Sequence, residues 1–340
     1  MHRACRHRGI WLLGAAAFGA AACARAEPPL GYLSSAGAPA RAILPLTWGV
    51  LAVAIAVVVI VCALTLIGTW RRMDRTGNAI GSPPHQRDAS LWLWLGVGIS
   101  CVVLGVCLVC TIRVLASTNA PRSPALAIEV TGQQWWWKVR YLDSDASRVL
   151  TTANEIHVPT GTTVRVNLVA ADVIHSFWVP ALGGKTDLIP GQTNVAWLEA
   201  DRPGRYRGQC GEYCGLQHAH MAFEVVAQTP EDFARWKTAQ LAAATLAPGE
   251  DVARGARTFE YRCGACHTVR GTAAGGTTAP DLTHLLSRAS IAALTLPNDA
   301  AARAAWTMNP QAAKPGNHMP VLQLGTSELA DINAFLSTLH

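Results

Sequence analysis

Charge is scarce in this chain. Of its 340 residues only 15% are Asp, Glu, Lys or Arg while 50% are hydrophobic, a balance too apolar for a wholly soluble globule but long enough for two or three domains. There is no internal repeat, and low complexity is confined to an Ala-rich stretch ahead of Pro248, so nothing reads as a repeat array. The formal net charge of +6 does not mark a nucleic-acid partner, because of where the charge lies. Ten basic residues face three acidic ones before Ser117, whereas seven face seven after residue 245, so the excess is topological. Usable cysteine is also scarce. Of ten, Cys5 and Cys23 fall in or at the end of the N-terminal segment, and Cys62, Cys101, Cys107 and Cys110 fall in long apolar runs, where a small apolar role is expected. Only Cys210 with Cys214 and Cys263 with Cys266 remain, two close pairs that make a poor disulfide framework and suit cofactor ligation.

What is present begins with a membrane part. Arg3, Arg6 and Arg8 precede the apolar run Ile10 to Ala22, then Ala24-Arg25-Ala26, the pattern of a bacterial secretory signal over residues 1–26. A lipoprotein reading would acylate Cys23, but Ala20 stands where an aliphatic residue is expected. Two further apolar segments, Ile43 to Trp70 and Leu91 to Leu115, are each long enough to cross a ~30 Å hydrocarbon core as a helix. They predict a transmembrane hairpin over residues 40–116. Arg71, Arg72, Arg75 and Arg87 in its loop outnumber Asp74 and Asp88, so the loop is expected in the cytoplasm and everything after Leu115 outside.

Within a module read as residues 117–240, the sequence from Ala127 to about Ala227 shows short alternating runs between turn signals, such as Val164 to Leu168 after Pro159-Thr160-Gly161. This predicts an all-β sandwich of a size that suits a Greek-key copper-binding domain. Pro230 to Leu246 reads as helical with Phe233 and Trp236 on one face, and Pro248-Gly249 closes it. Residues 247–340 form a small module with helices expected at Glu250 to Tyr261 and Ser327 to Leu339, the latter carrying Leu329, Ile332, Phe335, Leu336 and Leu339 on one side.

The segment Cys210-Gly-Glu212-Tyr-Cys214-Gly-Leu-Gln-His218-Ala-His220-Met221 packs two thiols, two imidazoles and a thioether into one loop, a soft-metal donor set. Two cysteines four apart can aim both sulfurs at one place. A single blue-copper site needs one Cys, and structural zinc gives no reason for the Met, so a dinuclear copper centre is the favoured reading.

Together with Asp172-Val-Ile-His175-Ser-Phe177 and Gly132-Gln-Gln-Trp135-Trp136-Trp137, this loop resembles subunit II of cytochrome c oxidase. The resemblance implies a cupredoxin-like domain whose binuclear copper centre, CuA, uses Cys210 and Cys214 as bridging thiolates and His175 and His218 as imidazole ligands. It further implies Met221 as a weak ligand and the Glu212 backbone carbonyl as another. The Glu212 side chain would face a Mg²⁺ at the interface with the catalytic subunit, and Trp135 would be the residue by which electrons reach the copper. By its residues alone the tryptophan run reads as strand core, His175 as a core histidine and His220 as solvent-facing. Relatives often carry a glutamate just before the second membrane helix and a proline within it; here Asp88 is the nearest carboxylate and Gly96 stands in the helix.

Cys263-Gly-Ala-Cys266-His267 is the attachment pattern of covalent haem c, with both thiols on the haem vinyls and His267 on the iron. Met319, followed by Pro320, is the expected second axial ligand, with Met308 as rival. These features resemble a class I cytochrome c, and the whole resembles the fused subunit II of caa-type oxidases.

That resemblance implies electron transfer from a periplasmic donor, such as a cytochrome c or the bc complex, through haem c and CuA to oxidase subunit I, with subunit III alongside, in a bacterial inner membrane. The oxygen-reducing site of such a proton-translocating enzyme would lie on the partner, since the chain lacks a set of membrane-embedded histidines. The alternatives are a CuA-bearing component of a nitric or nitrous oxide reductase and a copper-handling membrane protein without turnover.

Overall fold

The computed structural model describes residues 30–74, 86–119 and 123–340. The expected export signal, Cys23 and the loop residue Arg75 lie outside the described residues, and Arg72, Arg87 and Asp88 are described only as helical backbone.

Helices α1 (Ala38–Asp74) and α2 (Gln86–Asn119) form the hairpin. Both are long and apolar enough to cross a membrane, and the most apolar window of each contains no buried residue. Side chains such as Leu66, Trp92 and Val102 stand about two-thirds exposed, a surface that only lipid or a partner helix can cover. The helices overrun the predicted apolar runs at both ends, because adding flanking residues to an existing helix costs little. The chain enters α1 from the sandwich: Ala36 N donates to Ala181 O (2.8 Å) and Asp201 N to Ala36 O (2.8 Å), and Arg41 pairs with Asp201.

Ten strands follow: β1 (Leu126–Gln133), β2 (Trp136–Tyr141), β3 (Leu150–Ala153), β4 (Glu155–Pro159), β5 (Val164–Ala170), β6 (His175–Trp178), β7 (Thr186–Leu188), β8 (Asn194–Leu198), β9 (Gly204–Cys210) and β10 (Ala222–Gln228). They make two five-stranded sheets, ordered β3-β2-β1-β5-β8 and β4-β10-β9-β6-β7. The β1–β5 and β4–β10 pairs are parallel and the others antiparallel. Alternation drives this packing: Val164, Val166 and Leu168 of β5 are fully buried between the more exposed Arg165 and Asn167. Trp137, Tyr141, Phe223 and Leu168 fill the core between the sheets.

Helix α3 (Pro230–Leu241) starts at Thr229, whose hydroxyl accepts from Asp232 N, with Pro230 at the first helical position. Trp236 stacks on His157 at 4.1 Å between ring centroids, closing the sandwich edge. The helix stops at Leu241 rather than running to Leu246. Its last carbonyls are taken by another element: Arg270 donates to Leu241 O (3.0 Å) and Gln240 O, and Ala244 N donates to Arg270 O (2.9 Å). Tertiary hydrogen bonds here override a helix-favouring Ala run.

The last module consists of α4 (Glu250–Arg262), α5 (Ala300–Met308), the single turn α6 (Pro310–Ala313) and α7 (Thr326–Leu336), with a two-residue strand pair at residues 290–291 and 296–297 that the sequence does not announce. Val252, Ala256 and Phe259 of α4 pack on Ile332, Phe335 and Leu336 of α7. Gly255 permits the crossing, since a Cβ there would lie 1.9 Å from Asp331 O. The C-terminal helix ends three residues before the expected Leu339, because Leu339 O turns back to accept from Leu286 N (2.8 Å).

Candidate metal and haem sites

Strand register builds the first site. In the pairing of β6 with β9, Phe177 faces Cys210, which carries His175 to the start of the cysteine loop. The loop is pinned at both ends, by Cys210 N to Met221 O (3.0 Å) and Gly211 N to Ser176 O (2.9 Å). Within it Cys210 Sγ lies 3.8 Å from Cys214 Sγ and 3.9 Å from His175 Nδ1, while Cys214 Sγ lies 3.6 Å from His218 Nδ1 and 3.7 Å from Met221 Sδ. The Glu212 carbonyl stands 3.2 Å from Cys210 Sγ. His175, Cys210 and Cys214 are all buried, with ligand atoms mutually within 4.8 Å.

The second nitrogen of His175, Nε2, is 2.8 Å from Asp172 Oδ1. Donation to that carboxylate fixes the tautomer and leaves the Nδ1 lone pair facing the sulfurs. Asp172 is itself held by Gln134 N (2.6 Å) and Val173 N (2.7 Å). Sequence reading gives Asp172 no role; a carboxylate three residues before the histidine is the signal that could have found it. Gly132 makes room for the ring, since a Cβ there would come within 2.9 Å of it.

The site is poised for a cation. Contact with the Cys214 thiol, helped by His175, pulls the Cys210 thiol down to about 4, and the same contact together with burial pushes Cys214 up. A bound metal would take both sulfurs as thiolates in place of their protons. Burial lowers the basicity of His175, but the Cys210 thiol and Asp172 outweigh it and raise the imidazole above its ordinary range.

Trp135 is not strand core. It occupies the turn between β1 and β2, is buried, and donates from Nε1 to Cys214 O (2.9 Å), beside Gln134 Nε2 donating to the same oxygen (2.7 Å). The Glu212 side chain is half-exposed with Lys185 Nζ at 3.8 Å. His220 is exposed as expected, and its Nδ1 meets Gln217 Oε1 at 2.7 Å.

The second site is a cavity of about 500 Å³ in the last module. Cys263, Cys266, His267 and Met319 all line it. Met308 is half-exposed and is not among the lining residues, so of the two candidate thioethers only Met319 shares the cavity with His267. His267 Nδ1 is 2.8 Å from Pro280 O, a donation that leaves Nε2 as the free lone pair. Burial holds this imidazole below its ordinary pKa and so neutral, and pushes the Cys263 thiol up to about 11. Arg262 and Arg288 also line the cavity, and Arg262 Nε is buried without a hydrogen-bond partner. Thiols, a neutral imidazole, a thioether and cationic groups around an apolar space together fit haem c and its carboxylates. The opposite wall of the cavity is Gln133, Gln134, Trp135 and Trp136 of the β-sandwich.

Comparison with known proteins agrees with both halves. A family model described as cytochrome C oxidase subunit II, periplasmic domain, matches residues 140–228, and one described as cytochrome c matches residues 252–340. Cytochrome c oxidase subunit 2 of Bacillus sp. strain PS3 is 31% identical over 270 residues, covering 74% of this chain and 73% of that protein. The subunit 2 of Alkalihalophilus pseudofirmus is 39% identical over 215 residues and 62% of this chain. The chain spans 60% of the length of the Alkalihalophilus relative and 51% of that from Rickettsia prowazekii. Among solved structures, the periplasmic domain of subunit II of cytochrome oxidase from Bradyrhizobium japonicum shares 34% identity at a TM-score of 0.33, covering 35% of this chain and 95% of that one. The extent of the match to the Bacillus protein, with both family models on one polypeptide, shows that this chain belongs to the cytochrome c oxidase subunit II family and carries a cytochrome c domain.

Proposed function

We propose that this chain is the electron-transfer subunit of a haem-copper oxidase, taking electrons from a periplasmic donor through haem c and CuA to an oxygen-reducing subunit I. The observation that carries this reading is the shared wall: the tryptophan turn that lines the haem cavity also hydrogen-bonds the carbonyl of Cys214. When bound, the copper pair and the haem supply one-electron redox chemistry.

The chain's own residues hold and orient these groups. Cys210, Cys214, His175, His218, Met221 and the Glu212 carbonyl would hold copper, with His175 and His218 presenting Nδ1 toward the sulfurs. Cys263 and Cys266 would anchor one haem through their thiols, and His267 and Met319 would supply imidazole and thioether ligands to it. Trp135 lies between the two. The Glu212 side chain, which has Lys185 as its neighbour, would serve a Mg²⁺ at the interface with subunit I. Burial of the thiols excludes water and keeps the donor geometry fixed, which suits a centre that changes charge without changing shape. The hairpin anchors these domains on the periplasmic face of the bacterial inner membrane, beside subunits I and III of a proton-translocating enzyme fed by a cytochrome c or a bc complex. We take residues 117–240 as the copper module and residues 247–340 as the haem module.

Two substitutions in the full complex test this. Cys214→Ser is expected to remove the copper signal and leave covalent haem in place; Cys263→Ser is expected to weaken haem attachment and leave copper. Both should abolish oxidation of the donor by oxygen. Undiminished donor oxidation in either variant contradicts the relay.

A further inference from the structure

The lysine least expected from sequence is Lys314. It follows α6 in the haem module, is 3% exposed, and reaches into the copper module. Its Nζ donates to Trp135 O (2.8 Å), His220 O (2.8 Å) and Ala292 O (3.3 Å). These three acceptors match the three N–H donors of an ammonium. One belongs to the tryptophan turn, one to the copper loop and one to the haem module's own 292–294 turn, whose three residues all adopt positive φ. Burial lowers the amine to about 8, so it remains charged at neutral pH, and charge-assisted bonds to carbonyls are the strong kind.

The segment continues across the copper loop. Gln217 Nε2 donates to Pro315 O (2.7 Å), Gly316 lies where a Cβ would come 3.1 Å from Leu216, and His318 meets Trp135 with ring centroids 6.2 Å apart. Met319 is the next residue. The other contacts between modules lie elsewhere, such as Ala289 N to Glu155 Oε1 (2.7 Å) and Lys138 Nζ to Thr277 O (3.3 Å), and neither touches the tryptophan turn.

We propose that Lys314 is a positioning residue, a latch that locks the haem module onto the copper loop and fixes Trp135 against the haem cavity, so that the module is docked rather than swinging on its linker. The latch rests on the relay proposed above, and the test separates the two. In the unsubstituted full chain, acetic anhydride should acylate Lys314 at least tenfold more slowly than the exposed Lys185, read by peptide mass spectrometry; equal rates overturn the latch whatever the cofactors do. In Lys314→Met, which keeps the stem and removes the donors, one electron placed on the haem should equilibrate with copper at least tenfold more slowly, the haem iron being oxidised as the copper pair is reduced. Reduction of the haem by a small soluble reductant should be unchanged, as should both spectra. An equilibration rate within twofold of the parent overturns the latch while leaving the relay standing. Absence of copper or haem in the parent sinks the relay, and acylation still decides the latch.

Discussion

Asp172 shows how much of the copper site depends on a residue that touches no metal. Its carboxylate holds His175 Nε2 at 2.8 Å and is held in turn by two backbone N–H groups. Removing a partner of this kind typically costs about 10–100-fold in metal affinity. Asp172→Ala should therefore lose copper to a competing chelator at roughly that lower concentration, while the haem spectrum stays unchanged; equal retention would show that Asp172 does not orient the ring. The ligand-type residues were readable because thiols, imidazoles and thioether recur at short spacing in one loop, and His175 stands in its own recognisable stretch. Asp172 carried a signal only in its spacing from His175, and Lys314 carried none. The Lys314 contact to Trp135 joins positions 179 apart, and no local pattern marks an amine destined for carbonyls in another module. Alternation alone places Trp136 and Trp137 in the strand, with Trp137 in the core, but not Trp135, which sits in the turn before the strand begins.

At the scale of elements, the haem module depends on one close crossing. With Gly255 Cβ space filled by Asp331 O, α4 and α7 can approach only if residue 255 has no side chain. Gly255→Ala should destabilise the module by about 1–3 kcal/mol through overpacking. The measurement is the ratio of covalent haem to copper in purified full chain: it should fall, with the copper signal preserved. An unchanged ratio and unchanged thermal midpoint would mean the helices can separate freely. Helix faces and strand alternation were legible because burial imposes periods of 3.6 and 2 on the sequence. Helix ends were less so. The stop at Leu241 and the turn at Leu339 are set by Arg270 and Leu286 from other parts of the chain, which a local reading cannot supply. The left-handed residues at 292–294 include no glycine and so carry no sign in the sequence.

For the whole molecule, charge distribution bears on how the proposed donor would arrive. The haem module carries seven basic and seven acidic residues after position 245, so docking should draw little on long-range steering. The second-order rate of haem reduction by the donor should fall less than about threefold between 50 and 200 mM salt; a steep decline would reveal a charged docking patch. The hairpin, sandwich and haem module follow one another along the chain, and the tryptophan turn is common to the walls of both redox sites. The most direct test is metal and haem analysis of the full chain, expressed in a host that attaches haem c, with electron paramagnetic resonance. The account predicts two coppers sharing one unpaired electron and one covalent haem per chain. A single copper, zinc in the cysteine loop, or a chain without covalent haem would contradict it.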